Sequence, residues 1–141
     1  STPIGRASYV IPFDASSFIA IIYSSFLIYL NYLFAPFIWQ VSTLPDIYAY
    51  LESVAHIILV YYSIKLWRLE KGQTHQLLGM MLFLFFILSL MFAFGTTNYG
   101  TGMRHKIMTW WMLVLMGGPL FYSDLRLILY KLNITNKYQN V

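Results

Sequence analysis

The stretch Gly95-Thr96-Thr97-Asn98-Tyr99-Gly100-Thr101-Gly102-Met103-Arg104-His105-Lys106 gathers three glycines and an asparagine ahead of three consecutive basic side chains. Glycine permits positive φ and close backbone approach, exposed N–H groups in such a run form an anion-binding nest, and an arginine fork grips two phosphate oxygens at once. His105 can donate or accept a proton near neutral pH. The stretch therefore suits a phosphate. The same residue types also make an ordinary turn, with Arg104 and Lys106 extending to lipid headgroups.

A second group lies upstream. Glu52 and His56 are four residues apart inside an apolar run, so on a helix they share one face, a turn apart. A carboxylate within a membrane is costly unless it is protonated, paired or facing water, which makes Glu52 and His56 functional candidates, with polar contact between helices as the plainer role. Glu52 is near one end of its run, at the depth where Arg104 emerges, so a Glu52–Arg104 pair is expected. His75, beside Lys71, reads as a solvated loop residue.

The elements that must hold these groups are membrane helices. Hydrophobic residues make up 59% of the 141 positions and charged residues 10%, well below the roughly 25% of an average soluble domain, so lipid is the natural solvent. Apolar runs of about 20 residues that can cross a core of ~30 Å fall at 18–39, 47–67 and 77–94, with a shorter fourth at 107–122. The chain is expected to be an all-α integral membrane protein of about four transmembrane helices in a single domain. Gly117-Gly118-Pro119 should kink the fourth, and Leu125, Ile128, Leu129 and Leu132 alternate with Arg126 and Lys131 as in a short C-terminal interfacial helix.

If the four runs alternate sides, seven of the nine Lys and Arg residues (Arg6, Lys65, Arg68, Lys71, Arg126, Lys131, Lys137) share one side and only Arg104 and Lys106 take the other. The positive-inside rule then puts both termini in the cytoplasm and the Arg104 loop outside. The net charge of +4 resides at the ends of apolar runs, which points to lipid headgroups and not nucleic acid. The chain has no cysteine, which excludes thiolate chemistry, and it shows no metal-ligand spacing, P-loop or dinucleotide fingerprint, so no cofactor is expected. The absence of an initiator Met and the long first run read as a piece of a longer protein.

The run from Phe94 to Lys106 resembles a segment near the C-terminus of the multispanning, polymerase-like membrane proteins of bacterial surface-polysaccharide (O-antigen and capsule) clusters. In that group an Asn-aromatic-Gly-Thr stretch is followed by Arg-His and a basic residue just before a last apolar helix. Pro12-Phe13-Asp14 and Leu51-Glu52 are similar to upstream features of the same proteins, and Lys106 stands where they often carry arginine. The resemblance is tight over 98–106 and loose elsewhere. It implies glycosyl transfer from a polyprenyl-diphosphate-linked oligosaccharide at the outer face of the inner membrane. Asn98, Arg104 and Lys106 would bind substrate, and Glu52, His56 or His105 would deprotonate the acceptor hydroxyl. The alternatives are a noncatalytic helical subunit of a larger membrane complex and a fragment of a transporter.

Overall fold

The computed structural model describes residues 13–96 and 99–139, with side chains described over 13–96 and 101–132. It is all-helical, with no strand among the described residues: α1 (Phe18–Phe34), a 3-10 turn (Ile38–Gln40), α2 (Leu44–Leu69), α3 (Gly72–Phe94) and α4 (Tyr99–Gln139). Three helices are long and apolar enough to cross a membrane: α2, α3 and the 101–132 part of α4. Their outward faces, including Leu44, Met80, Phe83, Met91 and Leu115, are bare apolar surface, as expected where lipid is the solvent.

α2 and α3 contain the runs 47–67 and 77–94 and extend each by several residues. Asp46 starts α2 by accepting from the backbone N–H groups of Ser42 (3.1 Å) and Thr43 (2.9 Å), which orients a carboxylate at the positive end of the helix. α2 passes to α3 through Glu70 and Lys71 alone, and Gly72 takes a φ of 63°, a left-handed conformation that glycine adopts without strain. His75 is not a loop residue. It lies in the first turns of α3, stacked on Trp67 at 5.0 Å, with Nδ1 2.8 Å from the Trp67 carbonyl near the end of α2.

The first element is shorter than its apolar run. α1 has 17 residues and stops at Phe34 because Pro36 lacks an N–H and forces the residue before it out of helical ψ; Ala35 has ψ 146°. Its two flanks meet the same end of the bundle. Phe13 packs edge-on against Phe94 at the end of α3, and the Ser24 hydroxyl reaches the Asp14 carbonyl at 3.5 Å. The chain leaving α1 returns to Leu44, at the start of α2. Between these flanks, the C-terminal end of α1 is housed in the bundle: Tyr32, Leu33, Ala35 and Pro36 are buried.

The fourth element is longer than expected. α4 runs unbroken for 41 residues through Gly117, Gly118 and Pro119, so no separate interfacial helix exists. It also begins at Tyr99, which makes residues 99–106 helical and not a glycine loop. α2 and α4 form the central pair, with Leu59, Met112, Leu113 and Met116 meeting Leu78, Leu82 and Phe85 of α3. At Gly117 a Cβ would stand 2.6 Å from the Leu59 carbonyl and 2.9 Å from Ser63 Oγ. Bilayer helices gain no hydrophobic drive from touching, so small residues that allow backbone approach carry the association.

Candidate functional site

At the α1 end of the bundle the structure brings Glu52, Ser53 and His56 of α2 to Lys106 of α4. The Lys106 side chain is 2% exposed. Its ammonium donates to the Leu33 carbonyl (3.2 Å) and Ser53 Oγ (3.1 Å) and sits 5.8 Å from the centre of the Tyr32 ring. Ser53 in turn donates to the Ala35 carbonyl at 3.3 Å. The last carbonyls of any helix lack partners within it, and Leu33 and Ala35 at the end of α1 are buried. Lys106 and Ser53 supply the missing donors, and the ammonium places positive charge at the negative end of the α1 dipole. α1 has no basic residue in its own last turn, so α4 provides it.

Arg104 does not reach Glu52. It is two positions before Lys106, roughly 200° around the helix, and its side chain is exposed. The ion pair found among the described residues is Lys65–Asp124, at 2.6 Å between α2 and α4. Glu52 instead lies within electrostatic reach of Lys106. Both its carboxyl oxygens are buried without a hydrogen-bond partner among the described residues. His56, one turn further along α2, is 1% exposed; its ring is held by Phe85 at 5.6 Å and Trp110 at 6.3 Å, and neither nitrogen has a hydrogen-bond partner among the described residues.

His105 is set apart from this group. Its ring stacks on Phe92 at 4.9 Å, and Nδ1 is 2.9 Å from Thr96 Oγ1. The Thr96 hydroxyl donates to the Phe92 carbonyl at 2.7 Å. With its one hydrogen so used, Thr96 accepts from Nδ1–H, which leaves Nε2 as the accepting nitrogen of the imidazole. His105 is thus a fixed ring with a defined tautomer, half-buried and adjacent in sequence to exposed Arg104.

Asn98 lies outside the described residues, as does Pro12. Phe13 and Asp14 are described, and the Asp14 carboxylate accepts the Ser16 N–H at 2.9 Å, which holds it below the usual carboxylate range. Sequence reasoning missed Ser53 and Thr96, the two hydroxyls that fix Lys106 and His105. A serine beside the intramembrane Glu52 was the one signal for the first; for the second there was none before the end of α3 was known. Among the described residues no group of three or more His, Asp or Glu side chains could hold a metal ion.

No protein-family description matches the chain, and neither a curated protein nor a solved structure does.

Proposed function

We propose that this protein is a membrane component of bacterial surface-polysaccharide assembly, joining lipid-linked oligosaccharide units at the outer face of the inner membrane. The observation that carries the reading is an exposed guanidinium, Arg104, next to an imidazole whose free nitrogen is fixed as an acceptor by Thr96 and Phe92. Arg104 contacts the diphosphate of a polyprenyl-diphosphate-linked glycan as that group leaves the anomeric carbon. His105 Nε2 takes the proton of the acceptor hydroxyl that attacks there. Asn98 contributes to substrate binding by its place in the motif. Lys106, Glu52 and His56 stand behind this surface, where Lys106 adds positive field at the donor's phosphates and either Glu52 or His56 is an alternative base. Along the helices this level is ~18 to ~27 Å from Lys65–Asp124, so the centre falls towards one edge of the bilayer.

In a strain lacking the chromosomal copy, the wild-type chain in its full reading frame restores polymer. Arg104→Ala and His105→Ala are expected to reduce polymer yield by roughly 10²-fold or more at normal expression, the scale of a lost positioned acid–base group, while Arg104→Lys keeps part of the yield. Unchanged polymer length and yield in both alanine variants would reject the reading.

One observation favours the noncatalytic alternative. Beyond Asp124, α4 carries Leu127, Ile128, Leu129, Tyr130 and Leu132 exposed and outside both core clusters of the described residues. A larger membrane assembly would cover that surface. In that case the chain copurifies with its partner in fixed ratio, and the two alanine variants leave both copurification and function intact.

A further inference from the structure

Two adjoining cavities meet at Arg68, at the end of the bundle opposite Arg104. One, about 400 Å³, lies on the face of α2 that carries Tyr61, Ile64, Lys65, Arg68 and Leu69. The other, about 330 Å³, shares Ile64 and Arg68 with it and continues over Trp67 onto Gly79, Leu82 and Phe86 of α3. Three of the five side chains of the first, Tyr61, Lys65 and Arg68, end in an oxygen or a nitrogen. The second is an apolar groove between two helices, and Arg68 is the one charged side chain on its wall.

The groove has a direction. Arg68 is one residue from the end of α2, whereas Gly79, Leu82 and Phe86 fall roughly 10, 15 and 21 Å along α3 from its start at Gly72. It therefore begins at the charged turn between the helices and runs inward to the depth of acyl chains. Gly79 lets the Trp67 indole settle against α3, since a Cβ there would stand 3.1 Å from Trp67 Nε1. Stacking on His75 at 5.0 Å holds the indole in place.

Charge selects the occupant. Lys65 is tied to Asp124 of α4 at 2.6 Å, so its charge is matched within the chain. Arg68 is exposed and has neither an ion pair nor a hydrogen bond among the described residues. No Asp or Glu lines either cavity, and Lys65, Arg68, Lys71, Arg126 and Lys131 outnumber Glu70 and Asp124 at this end. A groove that opens to the bilayer holds an acyl chain whatever the headgroup, but an unmatched guanidinium at its outer end favours an anionic one, gripping two oxygens of a phosphodiester. A zwitterionic headgroup would bring its own ammonium into the same positive field, where like charges repel.

We propose that Arg68 and the α2–α3 groove form a binding site for an anionic phospholipid, with its phosphate on the Arg68 guanidinium beside Tyr61 and Lys65 and one acyl chain along Ile64, Trp67, Leu82 and Phe86. The site lies at the other end of the bundle from Arg104 and His105 and stands independently of any role in polysaccharide assembly.

The test uses the full chain in phosphatidylcholine nanodiscs doped with phosphatidylglycerol that bears a photoactivatable diazirine in one acyl chain, followed by peptide mapping. Label is expected over 64–67 and 79–86, at about tenfold the yield of a phosphatidylcholine probe with the same chain, the equivalent of ~1.4 kcal/mol. Unlabelled phosphatidylglycerol should compete, and inorganic phosphate should not. Arg68→Gln, at an exposed position, should bring phosphatidylglycerol labelling down to the phosphatidylcholine level. Arg126→Gln, a cation of the same end that lines neither cavity, should leave it unchanged. Equal labelling by the two probes would reduce the groove to ordinary lipid contact and overturn the proposal; that comparison is made on the wild-type chain and needs no variant to fold. An equal loss in Arg68→Gln and Arg126→Gln would overturn it in favour of a diffuse basic surface, and competition by inorganic phosphate would overturn it in favour of a small-anion site.

Discussion

Lys106 holds together groups that would otherwise be stranded in a low-dielectric interior. Replacing it by Met removes the donor to the Leu33 carbonyl and Ser53 and leaves Glu52 without its cationic neighbour. The expected loss is ~3–5 kcal/mol, the scale of breaking a buried charge away from its partners, read as a lower thermal midpoint in detergent. Glu52→Gln should be milder, because the carboxylate accepts no hydrogen bond that an amide would lose. The double variant should recover ~0.5–3 kcal/mol of the Lys106→Met loss through their coupling, and strict additivity would show that the two groups do not interact. Thr96→Val should cost ~1 kcal/mol and release the tautomer of His105, visible as mixed Nδ1 and Nε2 protonation by nitrogen NMR. Glu52 and His56 were legible in the sequence because such side chains are expensive in an apolar run, and Lys106 because it closes the basic triplet that follows the glycines. Which of them would meet was not legible. Reading 99–106 as a loop concealed the helical phase that turns Lys106 inward and Arg104 outward, and Leu33 and Ala35 take part only through backbone carbonyls that no residue type reveals.

At the scale of helices, the α2–α4 crossing makes the sharpest demand. A methyl at Gly117 would fall 2.6 Å from the Leu59 carbonyl and 3.0 Å from the Ser63 nitrogen, both backbone atoms that cannot step aside. Gly117→Ala is expected to destabilise the bundle by ~1–3 kcal/mol, as overpacking does. Gly118→Ala is the control, because its nearest neighbour is Val114 Cγ1 at 3.8 Å. With no clash, it should gain up to ~1 kcal/mol from helix propensity. Thermal unfolding of the two variants side by side checks both signs, and equal behaviour would mean that the crossing is looser than drawn. Hydropathy read α2 and α3 well, since run length is all that a lipid-solvated helix must satisfy. It overran α1 because 35–39 is as apolar as the helix before it, while the break depends on the missing N–H of Pro36. It lost the start of α4 because Gly100, Thr101 and Gly102 have turn composition. Tertiary packing overrides that composition: Gly102 is buried with its Cβ position 3.4 Å from a Thr96 methyl, and Lys106 is drawn to α1.

For the molecule as a whole, the open matter is which face of the membrane each end of the bundle meets, and charge and geometry together make a definite forecast. Lys65, Arg68 and Lys71 cluster at the α2–α3 turn, the Lys65–Asp124 pair brings α4 to the same level, and Arg126 and Lys131 follow beyond it. Positive-inside bias assigns that end to the cytoplasm. Arg104, the start of α2 and the end of α3 then share the other face. The expectation that both termini are cytoplasmic has α1 crossing, whereas Phe13 packs on Phe94 and Asp14 contacts Ser24, which holds residues 13 and 14 at the Arg104 end. Since the chain has no native cysteine, single cysteines at Ala15, Lys71 and Thr101 report directly. An impermeant maleimide applied outside whole cells should label Ala15→Cys and Thr101→Cys and spare Lys71→Cys until the membrane is opened. If Ala15→Cys instead behaved like Lys71→Cys, α1 would cross the bilayer, and the housing of its C-terminal carbonyls by Lys106 and Ser53 would have to survive on a different path for the preceding chain. If Thr101→Cys were cytoplasmic, Arg104 and His105 would face away from any glycan exported on its lipid carrier, and the polymerising role would fail.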